Sequence, residues 1–226
     1  MKNEILILDK ESGRKIAEEY FAKICGFEKN KRISEKRIKK SMDLLQDIDE
    51  KLNIKVLVSE YEGGCINKDE LSLDDVTFKC DIFSKIQSED VKKVYIYLMT
   101  VGEMDIEDAP MSKKIYYDIW QTSYLDMGRD LLKEYIMEKQ ETQNIYVSES
   151  VAPGFFGIPG SDIEKFFEIL DASKIDMKII DKGAMLPHKS YAGLTIVTSK
   201  PVNIPKRDCE HCEARGKNCM YCRGEN

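Results

Sequence analysis

Ser148-Glu149-Ser150-Val151-Ala152-Pro153-Gly154-Phe155-Phe156-Gly157-Ile158-Pro159-Gly160-Ser161 packs three glycines and two prolines around a pair of aromatics. Proline fixes φ and glycine reaches backbone conformations closed to other residues, so the stretch predicts a rigid, irregular loop. Such a loop approaches a ligand closely where side chains would block it. Phe155 and Phe156 allow two readings: stacking on a flat ring, or plugging the loop into the core. Gly183-Ala-Met-Leu-Pro-His-Lys-Ser-Tyr-Ala-Gly193 accompanies it, read as a strand, a turn marked by Pro187, and a strand restarting after Gly193. His188 beside Lys189 reads as a surface residue.

Outward from the loop, the elements are mixed. Upstream, Asn144 to Ser148 reads as a strand. Before it, the stretch from about Ser112 to Lys139 lacks proline, has one glycine, and repeats Ile115, Ile119, Leu125, Leu132 and Ile136, which predicts the longest helix. Val94 to Val101 is a nearly continuous apolar run ended by Gly102, the pattern of a central strand buried on both faces. Downstream, Asp162 to Leu170 predicts a helix, and Met177 to Ile180 and Gly193 to Thr198 predict strands. Toward the N-terminus, Ser12 caps a helix with Ile16, Ala17, Tyr20, Phe21 and Ile24 on one face, ended by Gly26. A second helix after Ser34 carries Ile38, Met42, Leu45, Ile48 and Leu52, followed by a strand from Ile54 to Val58 and an extended stretch from Val76 to Phe83. Helices and strands do not strictly alternate, so the class is α+β.

The 226 residues suffice for one substantial core plus a small appendage. No apolar run approaches the roughly 20 residues that span a bilayer, and Met1 to Lys15 lacks the apolar region and cleavage site of a signal peptide, so a cytoplasmic, membrane-free protein is expected. A net charge of −6 leaves nucleic acid without the basic footprint it needs. The basic cluster Lys31, Arg32, Lys36, Arg37, Lys39 and Lys40 is followed at once by Asp43, Asp47, Asp49 and Glu50, the pattern of a solvated helix face. No nucleophile triad, Walker loop or G-x-G-x-x-G sequence is present, and no residue is assigned a catalytic role.

Seven cysteines, an odd count, argue against a disulfide framework. Cys25, Cys65 and Cys80 lie far apart and read as packing residues. Cys209, Cys212, Cys219 and Cys222 form two C-x2-C pairs that let thiolates converge on one metal site. The ligand set suits a [4Fe-4S] cluster, with zinc as the alternative; the gap between the pairs is short for a zinc ribbon. Pro201 and Pro205 mark residues 201–226 as an extension from the body.

Several segments resemble the activation domain of vitamin B12-dependent methionine synthase. They are Thr100-Val-Gly102, the long helix, Ala152-Pro-Gly-Phe155, Phe166-Phe-Glu-Ile-Leu170, Ala184-Met-Leu-Pro187 and Lys189-Ser190. The closer likeness is to stand-alone activation-domain-like proteins with a cysteine-rich C-terminus. The resemblance covers about residues 90 to 200. Residues 1–90 resemble the helical N-terminal part of those proteins more loosely, through Ile24-Cys-Gly-Phe27, leaving 91–200 as the activation-domain-like core.

The resemblance implies a twisted antiparallel sheet with long helices, and a protein that binds S-adenosylmethionine. It implies reductive reactivation of a corrinoid protein or B12-dependent methyltransferase: cobalt in the inactive Co(II) state takes one electron, and the Co(I) so formed takes the methyl group. Flavodoxin or ferredoxin is the implied electron donor. No B12-binding Asp-x-His-x-x-Gly motif is present, so the corrinoid arrives on a partner. A strong nucleophile meeting a neutral leaving group needs no proton transfer, which fits the missing acid–base set.

The resemblance places the ligand against the backbone of Ala152, Pro153, Gly154, Phe155 and Gly157, with Lys189 and Ser190 in the second segment; Asp126 and Asp130 on the long helix read either as partners for its ammonium or as solvent-exposed acids. The family's loop opens with an arginine two residues before the alanine, a partner for the ligand carboxylate. This chain has Ser150 there and Phe155 where the family often has tyrosine, so Arg129, Lys189 or another cation must supply the charge. The alternatives are a non-enzymatic corrinoid-protein partner and a metal-clipped interaction module.

Overall fold

The computed structural model describes residues 2–27, 31–49, 51–104, 108–140, 144–180, 183–206, 209 and 212. The frame is one antiparallel sheet of five strands: β1 (Glu4–Ile7), β2 (Lys55–Glu62), β6 (Val91–Thr100), β10 (Ser190–Thr198) and β7 (Tyr146–Val147), in that spatial order. Smaller pieces are the ladder β3 (Ile66–Asn67), β4 (Glu70–Leu73) and β5 (Val76–Lys79), and the hairpin β8 (Lys178–Ile180) and β9 (Ala184–Leu186). Helices α1 (Arg14–Ile24), α2 (Lys31–Asp49), α3 (Met111–Glu138) and α4 (Ile163–Ile169) complete the α+β fold.

The apolar run of β6 is central because both faces of the sheet are covered. On one face Val94, Ile96 and Leu98, with Ala192, Leu194 and Ile196, join Phe78, Phe83 and Phe166 in one core cluster. On the other, Tyr95, Tyr97 and Met99 pack beneath α1 and α3 with Phe21, Trp120, Tyr124 and Met127. The period-2 alternation of a strand sorts the residues between the two cores. Phe21 stacks on Trp120 with centroids 4.1 Å apart, which ties α1 to α3.

Several boundaries differ from the sequence reading. Helix α1 starts at Arg14 with no side-chain cap; Ser12 instead donates to the Asp9 carbonyl at 2.9 Å, closing a turn before it. Helix α2 begins at Lys31, ahead of Ser34. The extended stretch expected to Phe83 ends at Lys79 and turns into a short 3-10 segment, Phe83–Lys85. Strand β10 begins at Ser190, ahead of Gly193, because pairing Ser190 with Thr100 extends the ladder through residues with little apolar signal. Strand β1 was hidden by its half-exposed pattern, with Ile5 and Ile7 facing outward.

Candidate ligand site at the edge of β10

The glycine–proline loop is attached to the free side of β10. Ser148 N–H donates to the Ile196 carbonyl at 2.9 Å, and Val151 and Leu194 exchange two backbone bonds of 2.8 and 2.9 Å. Between these pairings Glu149 and Ser150 face the single residue Thr195, a bulge that re-aims one side chain. Val151 turns into the core under one face. Ser150 turns to the other, toward α3.

At Ser150 four elements converge. The Tyr97 hydroxyl of β6 donates to Ser150 Oγ at 2.6 Å, and the Tyr191 hydroxyl of β10 lies 3.2 Å from the same oxygen. The Arg129 guanidinium of α3 sits 4.5 Å above the Tyr191 ring, donates to Asp126 Oδ1 at 3.1 Å, and also engages the Tyr97 oxygen. Burial works against the charge on Arg129, but the Tyr191 and Tyr97 oxygens and Asp126 outweigh it, so the guanidinium keeps its proton. Its side chain is 13% exposed, and its Nε has no hydrogen-bond partner among the described residues. Burial pushes the Tyr97 hydroxyl well above its ordinary range, so it remains a neutral donor. Gly193 makes this possible: a Cβ there would stand 2.6 Å from both Ser150 Oγ and Tyr191 Cε1.

Beyond Val151 the loop holds its own shape. Gly154 N–H donates to the Ile158 carbonyl at 2.8 Å, Phe155 N–H to Ala152 at 3.2 Å, and Ile158 N–H to Phe155 at 3.0 Å. The Phe156 carbonyl accepts from the Asp81 N–H and the Cys80 thiol. Phe156 is buried and Phe155 half-buried against the same cluster, so both aromatics act at least as plugs. Gly154 has φ +84°, and nothing lies within 4 Å of where its Cβ would stand. Gly157 faces Asp81, whose Oδ2 lies 3.1 Å from the corresponding point. Ala152 is buried and Pro153 half-buried.

One feature of β10 carries no local signal in the sequence. In an antiparallel ladder, residues two apart turn N–H and C=O to the same edge. Leu194 and Ile196 bond toward the loop, so Ala192 directs its donor and acceptor that way too. No backbone partner for them appears among the described residues. Ala192 as a whole is only 3% exposed, so this donor–acceptor pair is covered rather than open to solvent.

The remaining expected site residues are spread along α3 and β10. Asp126 is in the cluster through Arg129. Asp130 lies on the next face of α3, accepting from Tyr20 at 2.7 Å and Lys206 at 2.6 Å. Lys189 pairs with Asp118 at 2.8 Å and donates to Thr122 at 3.0 Å. Ser190 Oγ donates to the Pro187 carbonyl at 2.6 Å and shapes the turn. His188 is exposed. A hollow of about 330 Å³ lies at the β6 end, lined in part by Lys55, Thr100, Asp176 and Pro187; the Gly154 loop does not line it.

Cys209 and Cys212 are half-buried free thiols; Cys219 and Cys222 lie outside the described residues. Among the described residues no three His, Cys, Asp or Glu side chains form a metal-binding group. No described helix is long and apolar enough to cross a membrane.

This arrangement of sheet, long helix and edge loop is matched by a solved structure titled "Crystal Structure of the MetH Reactivation Domain bound to AdoHcy". The TM-score is 0.61 at 15% identity, covering 92% of this chain and 81% of that one. The chain has the fold of the MetH reactivation domain. No family model matches the sequence, and no curated protein does. Within the reactivation-domain fold, the Ser150 cluster and the Gly154 loop flank the same edge of β10.

Proposed function

We propose that the protein binds an S-adenosyl amino acid at the β10 edge and presents the methyl group of S-adenosylmethionine to a corrinoid carried by a partner protein. The carrying observation is Arg129, a largely enclosed guanidinium with one unpaired N–H among the described residues, set beside the Tyr97 and Tyr191 hydroxyls that meet at Ser150. A carboxylate is the group such a cation accepts. The matched domain's AdoHcy is the demethylated form of the proposed donor, and its presence there supports the reading.

In this reading Arg129 receives the ligand carboxylate and supplies from α3 the charge that the loop position Ser150 does not carry. The open side of Gly154 receives the adenine. Asp126 holds the Arg129 fork in place, and the Tyr97 hydroxyl, kept neutral by burial, fixes Ser150. The reduced corrinoid would supply the nucleophile: the sulfur–methyl bond breaks, the methyl joins cobalt, and sulfur keeps the bonding pair as a neutral thioether. The protein's part is positioning and exclusion of water.

For the tail, Cys209, Cys212, Cys219 and Cys222 would hold a [4Fe-4S] cluster that delivers the electron, or zinc as a docking clip, with flavodoxin or ferredoxin as the external donor in the latter case. Absorption near 400 nm that bleaches with dithionite in anaerobically purified protein supports the cluster; a colourless zinc protein contradicts it. The binding reading is tested by calorimetric titration with AdoHcy and S-adenosylmethionine. One saturable site for each is expected, and the absence of heat at any concentration contradicts it.

A further inference from the structure

The segment that leads to the cysteines is fastened across the molecule. Lys200 pairs with Asp90 at 3.0 Å, Val202 packs against the core cluster of one sheet face, and Ile204 is buried in it. Two residues later Lys206 is on the opposite side, with Nζ 2.6 Å from Asp130 Oδ1 and 5.1 Å from the Tyr20 ring centroid. The chain therefore rounds the sheet between residues 204 and 206, ending at the helix position next to Arg129.

The latch has the chemistry of an amino-acid subsite. Lys206 brings a primary ammonium, Asp130 a carboxylate 23% exposed, and Tyr20 an aromatic face plus a hydroxyl that donates to the other carboxylate oxygen at 2.7 Å. On the adjacent residue Arg129 offers the matching cation for a carboxylate. An α-amino acid carries both charges a few ångströms apart.

We propose that residues 201–206 form an autoinhibitory strap, with the Lys206 ammonium standing on Asp130 in place of the ammonium of an incoming amino-acid ligand. The inference rests on the binding reading above and adds its regulation: ligand entry displaces Lys206 and frees the segment bearing Cys209 and Cys212. Ligand occupancy and the position of the cysteine tail are then linked in both directions.

The test compares wild type with Lys206→Gln in titrations with AdoHcy, alongside amide hydrogen exchange of residues 199–206. Lys206→Gln should bind AdoHcy more tightly by roughly two- to fivefold, the size of a partly exposed ion pair. Saturating AdoHcy should accelerate exchange in 199–206 of the wild type, and Lys206→Gln should already exchange quickly without ligand. Equal or weaker binding by Lys206→Gln, or slower exchange of 199–206 on ligand addition, overturns the strap. Silence from both proteins overturns the binding reading itself, and the competition with it.

Discussion

Tyr97 and Ser150 meet hydroxyl to hydroxyl at 2.6 Å, across the strand that lies between their segments, and the bare backbone of Gly193 is what admits them. Gly193→Ala would place a Cβ 2.6 Å from Ser150 Oγ and from Tyr191 Cε1, where the ladder with β6 leaves little room to retreat. Overpacking of this kind costs about 1–3 kcal/mol, to be read from denaturant midpoints. The same variant should lose AdoHcy binding, and Ser150→Gly added to it should recover part of the stability.

Gly154 is a different case, since its Cβ position is open but its φ is +84°. Gly154→Val should cost roughly 1–3 kcal/mol in backbone strain and leave the sheet intact. It should abolish ligand binding by filling the approach. Thermal melts with circular dichroism check the first expectation and calorimetry the second; wild-type affinity in this variant would make the loop purely structural.

Arg129→Met removes the largely enclosed cation proposed for the carboxylate. Loss of a charge-assisted contact of about 1.5–3 kcal/mol predicts roughly 10- to 100-fold weaker AdoHcy binding. Arg129→Lys keeps a charge but not the planar fork, so its affinity should fall between the two. Asp126→Asn should weaken binding less than Arg129→Met, because Asp126 acts by holding the guanidinium.

Acid sensitivity has a local source in Glu60. Burial alone would raise its pKa, but hydrogen bonds from Lys93 at 2.9 Å and Tyr95 at 2.7 Å outweigh burial and hold it below the ordinary 4.5. A carboxylate depressed in the folded state contributes stability that is fully present above its unfolded pKa and lost as pH falls through its folded value. Urea midpoints measured downward from pH 5 should therefore fall less steeply in Glu60→Gln than in wild type.

Much of the frame was legible from local pattern. The apolar run around Tyr95 and Tyr97 marks a strand with no solvent face, and the proline-free stretch after it marks α3. Strand β1 was not legible because Ile5 and Ile7 face outward, leaving a weak alternation in so short a segment. The start of β10 was missed because Ser190 and Tyr191 are held by register with β6, a long-range property.

The site divides the same way. The loop announces itself through proline and glycine, and Arg129 is one of the cations on the long helix available to a carboxylate. The meeting of Tyr97, Tyr191 and Ser150 depends on strand order and on a bulge that no local pattern encodes.

The proposed function turns on a nucleoside amino acid lying between Gly154 and Arg129. A crystal structure with AdoHcy decides it. The carboxylate is expected on the Arg129 guanidinium, the adenine against Gly154, and Lys206 displaced from Asp130. A cleft closed by the protein's own side chains, or ligand bound elsewhere with Arg129 untouched, would contradict it.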